Sequence, residues 1–361
     1  MPTFVVDSAA LSRNIEKLRC FTSAQIIAVV KGNGYGLGMV PYARFLTEQG
    51  VALLAVSTAA EAAALRDAGI TAELLMLSST ALPEEIAALL ARDVILTVGS
   101  ADAARAVSDA AAARGVTARV HVKLDTGMGR YGFLPQETAE AAALLRFLPA
   151  LRVEGVFTHF AEAADRRCTA RQYRRFAAGV RILRAAGIDP GLCHVCASTA
   201  FLRYPELHLD AVRLGSALLG RLSVPDTLGL EKIGWLETRV AELKTLPAGW
   251  PVGYTGAYRT KRETRLALLP VGYTSGIGVT EEPNALRLRD RLRRVLHAGR
   301  RLLHTDGLTV QINGHCCPVR GVVAAAQLEA DVTELPCAVG DTVRVEVRPK
   351  FVDSGIPREY R

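Results

Sequence analysis

Short apolar runs separated by alanine-rich stretches of helical spacing fill the chain from about residue 10 to residue 220. The runs at 26–30, 53–56, 74–77, 95–98, 120–124, 153–158, 194–196 and 211–214 read as strands. Helices are expected at 59–68, 83–91, 101–114, 136–146 and 170–186. Two Ala-Gly-Ile sequences, Ala68-Gly69-Ile70 and Ala186-Gly187-Ile188, read as helix carboxyl caps leading into strands. Strand and helix alternating in this way predict an α/β fold, a (β/α)8 barrel of the TIM type.

Near residue 222 the pattern changes to short alternating segments at 236–243, 264–269, 309–312, 319–323 and 342–347, separated by Gly and Pro turns. That is the mark of a smaller all-β domain. The boundary is drawn at 1–222 for the barrel and 223–361 for the β-domain. Chemistry in a barrel belongs at the carboxyl ends of the strands. Lys31, Arg130, His159, Ser198 and Arg213 all fall at or just after such ends.

Composition agrees with two buried cores: 361 residues, half of them apolar. No apolar run approaches bilayer length, and the amino terminus shows neither a basic leader nor a small-residue cleavage site. The expectation is a cytoplasmic protein without a membrane role. The seven cysteines are an odd, scattered set. Cys193 and Cys196 form a Cys-x-x-Cys, but a zinc site wants a second pair and Cys316-Cys317 is a poor one, so reduced thiols and no metal are expected. Much of the +8 net charge sits between Arg287 and Arg301, where arginines interleave with leucines. Without stacking aromatics this reads as a solvated helix face, and no nucleic-acid partner is expected.

The most informative segment is Ala28-Val29-Val30-Lys31-Gly32-Asn33-Gly34-Tyr35-Gly36-Leu37-Gly38. A buried strand ends in one lysine, and the glycine-rich run after it must turn. Desolvation at a strand mouth lowers a lysine pKa and suits it to Schiff-base chemistry. The segment resembles the pyridoxal-phosphate lysine motif of the alanine racemase family. Further matches follow in that family's order: His121-Val122-Lys123-Leu124-Asp125-Thr126-Gly127-Met128-Gly129-Arg130, then Thr158-His159-Phe160, His194-Val195-Cys196-Ala197-Ser198, Arg213-Leu214-Gly215-Ser216, Gly253-Tyr254-Thr255-Gly256 and Gly272-Tyr273-Thr274-Ser275-Gly276.

The resemblance implies a pyridoxal 5'-phosphate (PLP)-dependent amino-acid racemase acting on alanine or serine. Lys31 and Tyr254 are the implied bases, one for each face of the substrate Cα. Lys31, Tyr35, His159, Ser198, Arg213, Gly215 and Ser216 are the implied cofactor residues. Arg213 is the implied partner of the pyridine nitrogen; a guanidinium only donates and stays charged, so that nitrogen stays unprotonated. Arg130 holds the substrate carboxylate, Lys123 stands where the family often carries a carbamylated lysine, Tyr273 lies at the substrate entrance, and Ala325 offers its backbone N–H to a carboxylate. The family places the β-domain of one subunit over the barrel of another, which implies a homodimer with shared active sites. A free tyrosine titrates near ~10, so Tyr254 needs positive surroundings, for which His159 and Arg213 are the candidates.

The chain departs from the family pattern where Leu37 replaces a histidine, Leu219 a tyrosine and Ala197 an asparagine. The segment from Gly321 to Gln327 lacks the usual Arg and Met-Asp, and a late helical segment with a phosphate-binding tyrosine is missing. Trimmed surroundings point to an altered substrate range or cofactor affinity. They also leave an alternative, a catalytically idle PLP-binding homologue with a carrier or regulatory role.

Overall fold

The structure is a computed structural model that describes residues 1–280 and 307–361. The basic stretch Arg287–Arg301 lies outside the described residues. The chain divides into two compact units, one of residues 8–233 and one of residues 1–7 with 234–361.

In the first unit eight strands form one parallel sheet: β2 (Gln25–Val29), β3 (Leu53–Val56), β4 (Glu73–Ser79), β5 (Ile95–Val98), β6 (Ala118–Lys123), β7 (Leu151–Phe157), β8 (Leu192–His194) and β9 (Ala211–Leu214). From β2 to β8 each pairs with its sequence neighbours, and β9 returns to β2. Between β8 and β9, backbone bonds from Asp210 N to Cys193 O, inside β8, and from Arg213 N to Cys196 O, just past it, close the ring. This is the expected eight-stranded barrel, surrounded by helices. Side chains two apart share a strand face. Ile27, Val29, Leu53, Ala55, Leu75, Ile95 and Ala211 accordingly meet in one apolar cluster. Arg213, two residues after Ala211, is left only 3% exposed.

Helix ends follow local chemistry. Ser100 caps helix Ala101–Ala113 by accepting from Ala103 N, and Asp165 caps Arg166–Ala185. Pro83 occupies the first turn of Pro83–Leu90, where its missing N–H costs nothing. Both Ala-Gly-Ile caps behave as read: Gly69 and Gly187 take positive φ, while Ile70 N and Ile188 N reach back to Leu65 O and Leu183 O.

In the second unit nine strands form a sheet ordered β11-β14-β17-β16-β15-β18-β10-β1-β19. They are β1 (Thr3–Val6), β10 (Trp235–Arg239), β11 (Glu242–Leu246), β14 (Thr264–Leu269), β15 (Thr309–Ile312), β16 (His315–Arg320), β17 (Leu328–Asp331), β18 (Thr342–Val345) and β19 (Arg358–Tyr360). A separate hairpin joins β12 (Pro251–Val252) and β13 (Tyr258–Arg259).

One expectation changes. The 236–243 segment is two strands, with a break at Val240-Ala241. The compact units part at 233/234. Residues 223–233 stay with the barrel because buried Asn14 holds them: its Nδ2 donates to Leu218 O and Glu231 O at 3.0 and 2.8 Å, and its Oδ1 accepts from Glu231 N at 2.8 Å. Residues 1–7 join the β unit because β1 pairs antiparallel with β10 and parallel with β19.

Candidate active site

At the carboxyl ends of the barrel strands lies a cavity of about 380 Å³. Nine of the twelve residues expected at the site line it: Lys31, Tyr35, Lys123, Arg130, His159, Ser198, Arg213, Gly215 and Ser216. Tyr254, Tyr273 and Ala325 belong to the other unit. Four of the lining side chains are lysines or arginines, and among the described residues no carboxylate lines the cavity. Such a wall favours an anionic ligand.

Lys31 begins a single turn, Lys31–Tyr35, that winds left-handed. Gly32, Asn33 and Gly34 have φ of 62°, 54° and 64°, and Tyr35 follows at 54°. Glycine enters this region freely, whereas Asn33 and Tyr35 each cost roughly 1–2 kcal/mol there. The turn is tied by Gly34 N to Val30 O, Gly38 N to Asn33 O, and Met39 N to Asn33 Oδ1. It carries Tyr35 over Gly215, where an added Cβ would stand 2.4 Å from the phenol oxygen. Burial lowers the pKa of Lys31, repulsion from Arg130 and Arg213 adds to it, and the Glu61 carboxylate opposes them.

Arg213 on β9 is the centre of a buried polar chain. Its Nη1 donates to His194 Nδ1 at 2.8 Å and His194 O at 2.9 Å, and its Nη2 donates to Thr158 O at 2.7 Å and Val195 O at 3.2 Å. All four bonds come from the terminal nitrogens, which leaves Nε–H for a ligand. Because the guanidinium only donates, His194 accepts at Nδ1 and carries its proton on Nε2, passing that hydrogen bond to His121 Nδ1 at 2.9 Å. Burial, reinforced by the Arg213 charge, holds His121 at about 4 and His194 well below its usual range. His159 falls to about 3 for the same reasons. The three imidazoles are neutral at physiological pH, and Arg213, pushed by burial only to about 10, keeps its charge.

The loop after β6 is organised by Asp125. Burial opposes its ionisation, but the N–H groups of Gly127, Met128 and Arg130, at 2.8–2.9 Å, outweigh burial and hold its pKa down. That folds the loop so that Arg130 lines the cavity. Lys123, 4% exposed, lies over the rings of Phe157 and Tyr131. Burial, then Arg130 and Arg213, lower it to about 7. Ser198 Oγ accepts from Gly215 N at 3.3 Å and Ala217 N at 3.1 Å, bringing the hydroxyl and this backbone together.

A buried lysine with a depressed pKa destabilises the fold below its unfolded value of about 10.4. The penalty is full below pH 7 and shrinks as pH rises, because unfolding takes up a proton in that window. In carbon dioxide-free buffer Lys123→Met is therefore expected to raise apo stability by on the order of a few kcal/mol at pH 6 and by much less near pH 10. Denaturant midpoints against pH check this; a pH-independent difference would refute it.

In the β unit Tyr254 is 70% exposed and Tyr273 54%. Tyr254 sits on a turn in which Gly253 has φ of 70° and the following Thr255, β-branched, has φ of 59°. Ala325 presents its carbonyl to Thr274, accepting from N at 3.1 Å and Oγ1 at 2.6 Å. Of the departures, Leu37 and Leu219 are buried apolar residues, and Ala197 leaves helix Ser198–Arg203 without a side-chain cap.

One residue escaped the sequence reading. Glu61 touches both its own helix start and the lysine turn, and the Thr58-x-x-Glu61 capping box was the signal for it. Cys193 and Cys196 are free buried thiols, raised to about 11 and about 12 by burial. Among the described residues no group of three or more His, Cys, Asp or Glu could hold a metal ion, and no helix is long and apolar enough to cross a membrane.

Comparison with known proteins finds relatives over nearly the whole chain. The family model described as alanine racemase, N-terminal domain, matches residues 6–223, and that for the alanine racemase C-terminal domain matches residues 233–350. A curated relative, the alanine racemase of Desulfovibrio desulfuricans, is 35% identical over 346 residues, covering 94% of this chain and 87% of its own. Among solved structures, alanine racemase from Clostridium difficile 630 superposes with a TM-score of 0.87 at 26% identity, covering 100% of this chain and 96% of its own. Alanine racemase from Streptomyces lavendulae gives 0.84 at 29% identity, with coverages of 100% and 97%.

Proposed function

This chain belongs to the alanine racemase family and is a racemase, and from that premise we propose that it interconverts L- and D-alanine with PLP as cofactor. The observation that carries the reading is the cavity lined by Lys31, Lys123, Arg130 and Arg213, with no carboxylate among the described residues. A phosphorylated cofactor and an amino-acid carboxylate are both anions, and such a wall fits both.

Lys31 would hold the cofactor through Nζ. Tyr35, Ser198, Gly215 and Ser216 would hold its phosphate, His159 would face its ring, and the free Nε–H of Arg213 would serve its pyridine nitrogen. When bound, the cofactor supplies an electron sink for the negative charge left at the substrate Cα. The protein supplies the rest. Arg130 orients the substrate carboxylate. Lys123, lowered to about 7, is neutral in a large fraction near physiological pH. That amine is ready to take up carbon dioxide, and the resulting anion would orient Arg130. Tyr254 takes the Cα proton of the L-isomer and Lys31 returns one on the opposite face; the roles reverse for the D-isomer. Tyr254 and Tyr273 act from the partner subunit of a homodimer, a reading supported by their exposure and by the family. Ala325 would offer its backbone N–H to the substrate carboxylate.

The test is Cα hydrogen–deuterium exchange followed by NMR on a panel of L-amino acids with added PLP. Exchange on L-alanine with growth of the D-isomer is expected. Exchange confined to another amino acid would reassign the substrate, and none on any would overturn the reading.

A further inference from the structure

We propose that Glu61 is a positioning residue for Lys31, one carboxylate oxygen capping the helix after β3 and the other holding the backbone turn that starts at the lysine. The proposal rests on the reading of Lys31 as the cofactor-bearing base.

Helix Ala59–Asp67 starts with a complete capping box. Thr58 Oγ1 accepts from Glu61 N at 3.2 Å, and Glu61 Oε2 accepts from Thr58 N at 3.3 Å and from Ser57 N at 2.8 Å. A capping box is complete with those bonds. Here the second oxygen, Oε1, reaches 29 residues back along the chain and accepts from Gly32 N at 2.7 Å. Gly32 is the residue after Lys31 and the first of the left-handed turn.

That turn needs holding, because Asn33 and Tyr35 occupy backbone space that L-residues disfavour. At its far end Asn33 Oδ1 accepts from Met39 N at 2.9 Å. At its near end the Gly32 N–H is pinned by a carboxylate, and a charged acceptor makes the stronger kind of hydrogen bond. Charge gives the contact a second consequence. Lys31 faces Arg130 and Arg213, with Lys123 and neutral His159 lining the same cavity, and the Glu61 carboxylate counters them. One side chain thus couples the β3 end of the barrel to the β2 end, where the amine emerges.

The experiment compares Glu61→Gln and Glu61→Ala with Thr58→Ala, which weakens the same helix start but leaves the bond to Gly32. Each is reconstituted with PLP, and kcat, KM for L-alanine, thermal midpoint and borohydride-fixed PLP on Lys31 are measured. Thr58→Ala is expected to lower the midpoint with kcat unchanged. Glu61→Gln keeps an oxygen for one arm only, and a misplaced reacting group costs on the order of 10–100-fold in rate. A kcat loss of about that size, with KM nearly unchanged, is expected for Glu61→Gln, and a larger one for Glu61→Ala. Equal kcat in Glu61→Gln and Thr58→Ala at a temperature where both are folded would overturn the proposal. Wild-type protein that fixes no PLP on Lys31 would overturn it together with the functional reading beneath it.

Discussion

Replacing Lys31 with alanine is expected to lower turnover of L-alanine by at least on the order of 10⁴-fold, the upper range for loss of a positioned proton-transfer group, while leaving the fold intact. The size follows from two roles in one amine. Nζ would hold the cofactor and also carry the proton to one face of Cα, so its loss removes attachment and base together. The fold should survive because Lys31 lies beyond β2, at the cavity rather than in the apolar cluster around Ile27 and Val29. Its removal also relieves repulsion with Arg130 and Arg213. Chiral chromatography of the product, with the mass of borohydride-treated protein, reads both roles. Partial return of racemisation with an added small amine would show that the missing group is the base. Wild-type turnover in the variant would exclude Lys31 from the reaction.

The barrel was legible in the sequence for a physical reason. Strands of a parallel sheet are buried on both faces and read as largely apolar runs, so 53–56, 95–98 and 211–214, broken only by Thr97 and Arg213, coincide with β3, β5 and β9 residue for residue. What failed was pairing without a local signature. β1 and β19 join the two ends of the chain, and neither segment announces its partner. β17, Leu328–Asp331, alternates buried with half-buried residues but carries two acids, which hides a strand. Composition changes at 222, whereas the attachment of residues up to 233 to the barrel is a matter of Asn14, more than two hundred residues away, gripping the backbone of Glu231. At the site, the Gly-rich stretch predicted a turn but not its left hand, which depends on five consecutive residues at positive φ, Gly32 to Gly36. Nine of the cavity-lining residues could be named because their motifs resemble the family's. The neutral His121–His194–Arg213 chain could not, since its geometry exists only once the barrel turns side chains of β6, β8 and β9 toward one interior.

Tyr254→Phe tests the other base, and its expected signature is asymmetry. Phenylalanine keeps the ring and removes only the hydroxyl, so racemisation should fall by about 10³–10⁴-fold without loss of fold. In deuterium oxide the variant should leave the Cα–H of L-alanine in place. It should still exchange that of D-alanine, whose proton faces Lys31, without producing the L-isomer. Loss of the L-isomer's Cα proton at the wild-type rate would remove Tyr254 from the mechanism. The same substitution also tests whose tyrosine it is. Tyr254 is 70% exposed, which leaves its ring accessible to another chain. If Tyr254 completes the partner's site, a hybrid of Lys31→Ala and Tyr254→Phe subunits contains one barrel with an intact lysine facing an intact tyrosine. Two inactive proteins unfolded and refolded together in equal amounts should then recover about a quarter of wild-type activity, because half the dimers are hybrids and each has one working site. If the tyrosine served its own barrel, every site in the mixture would lack one base, and the mixture would stay as inactive as its parents.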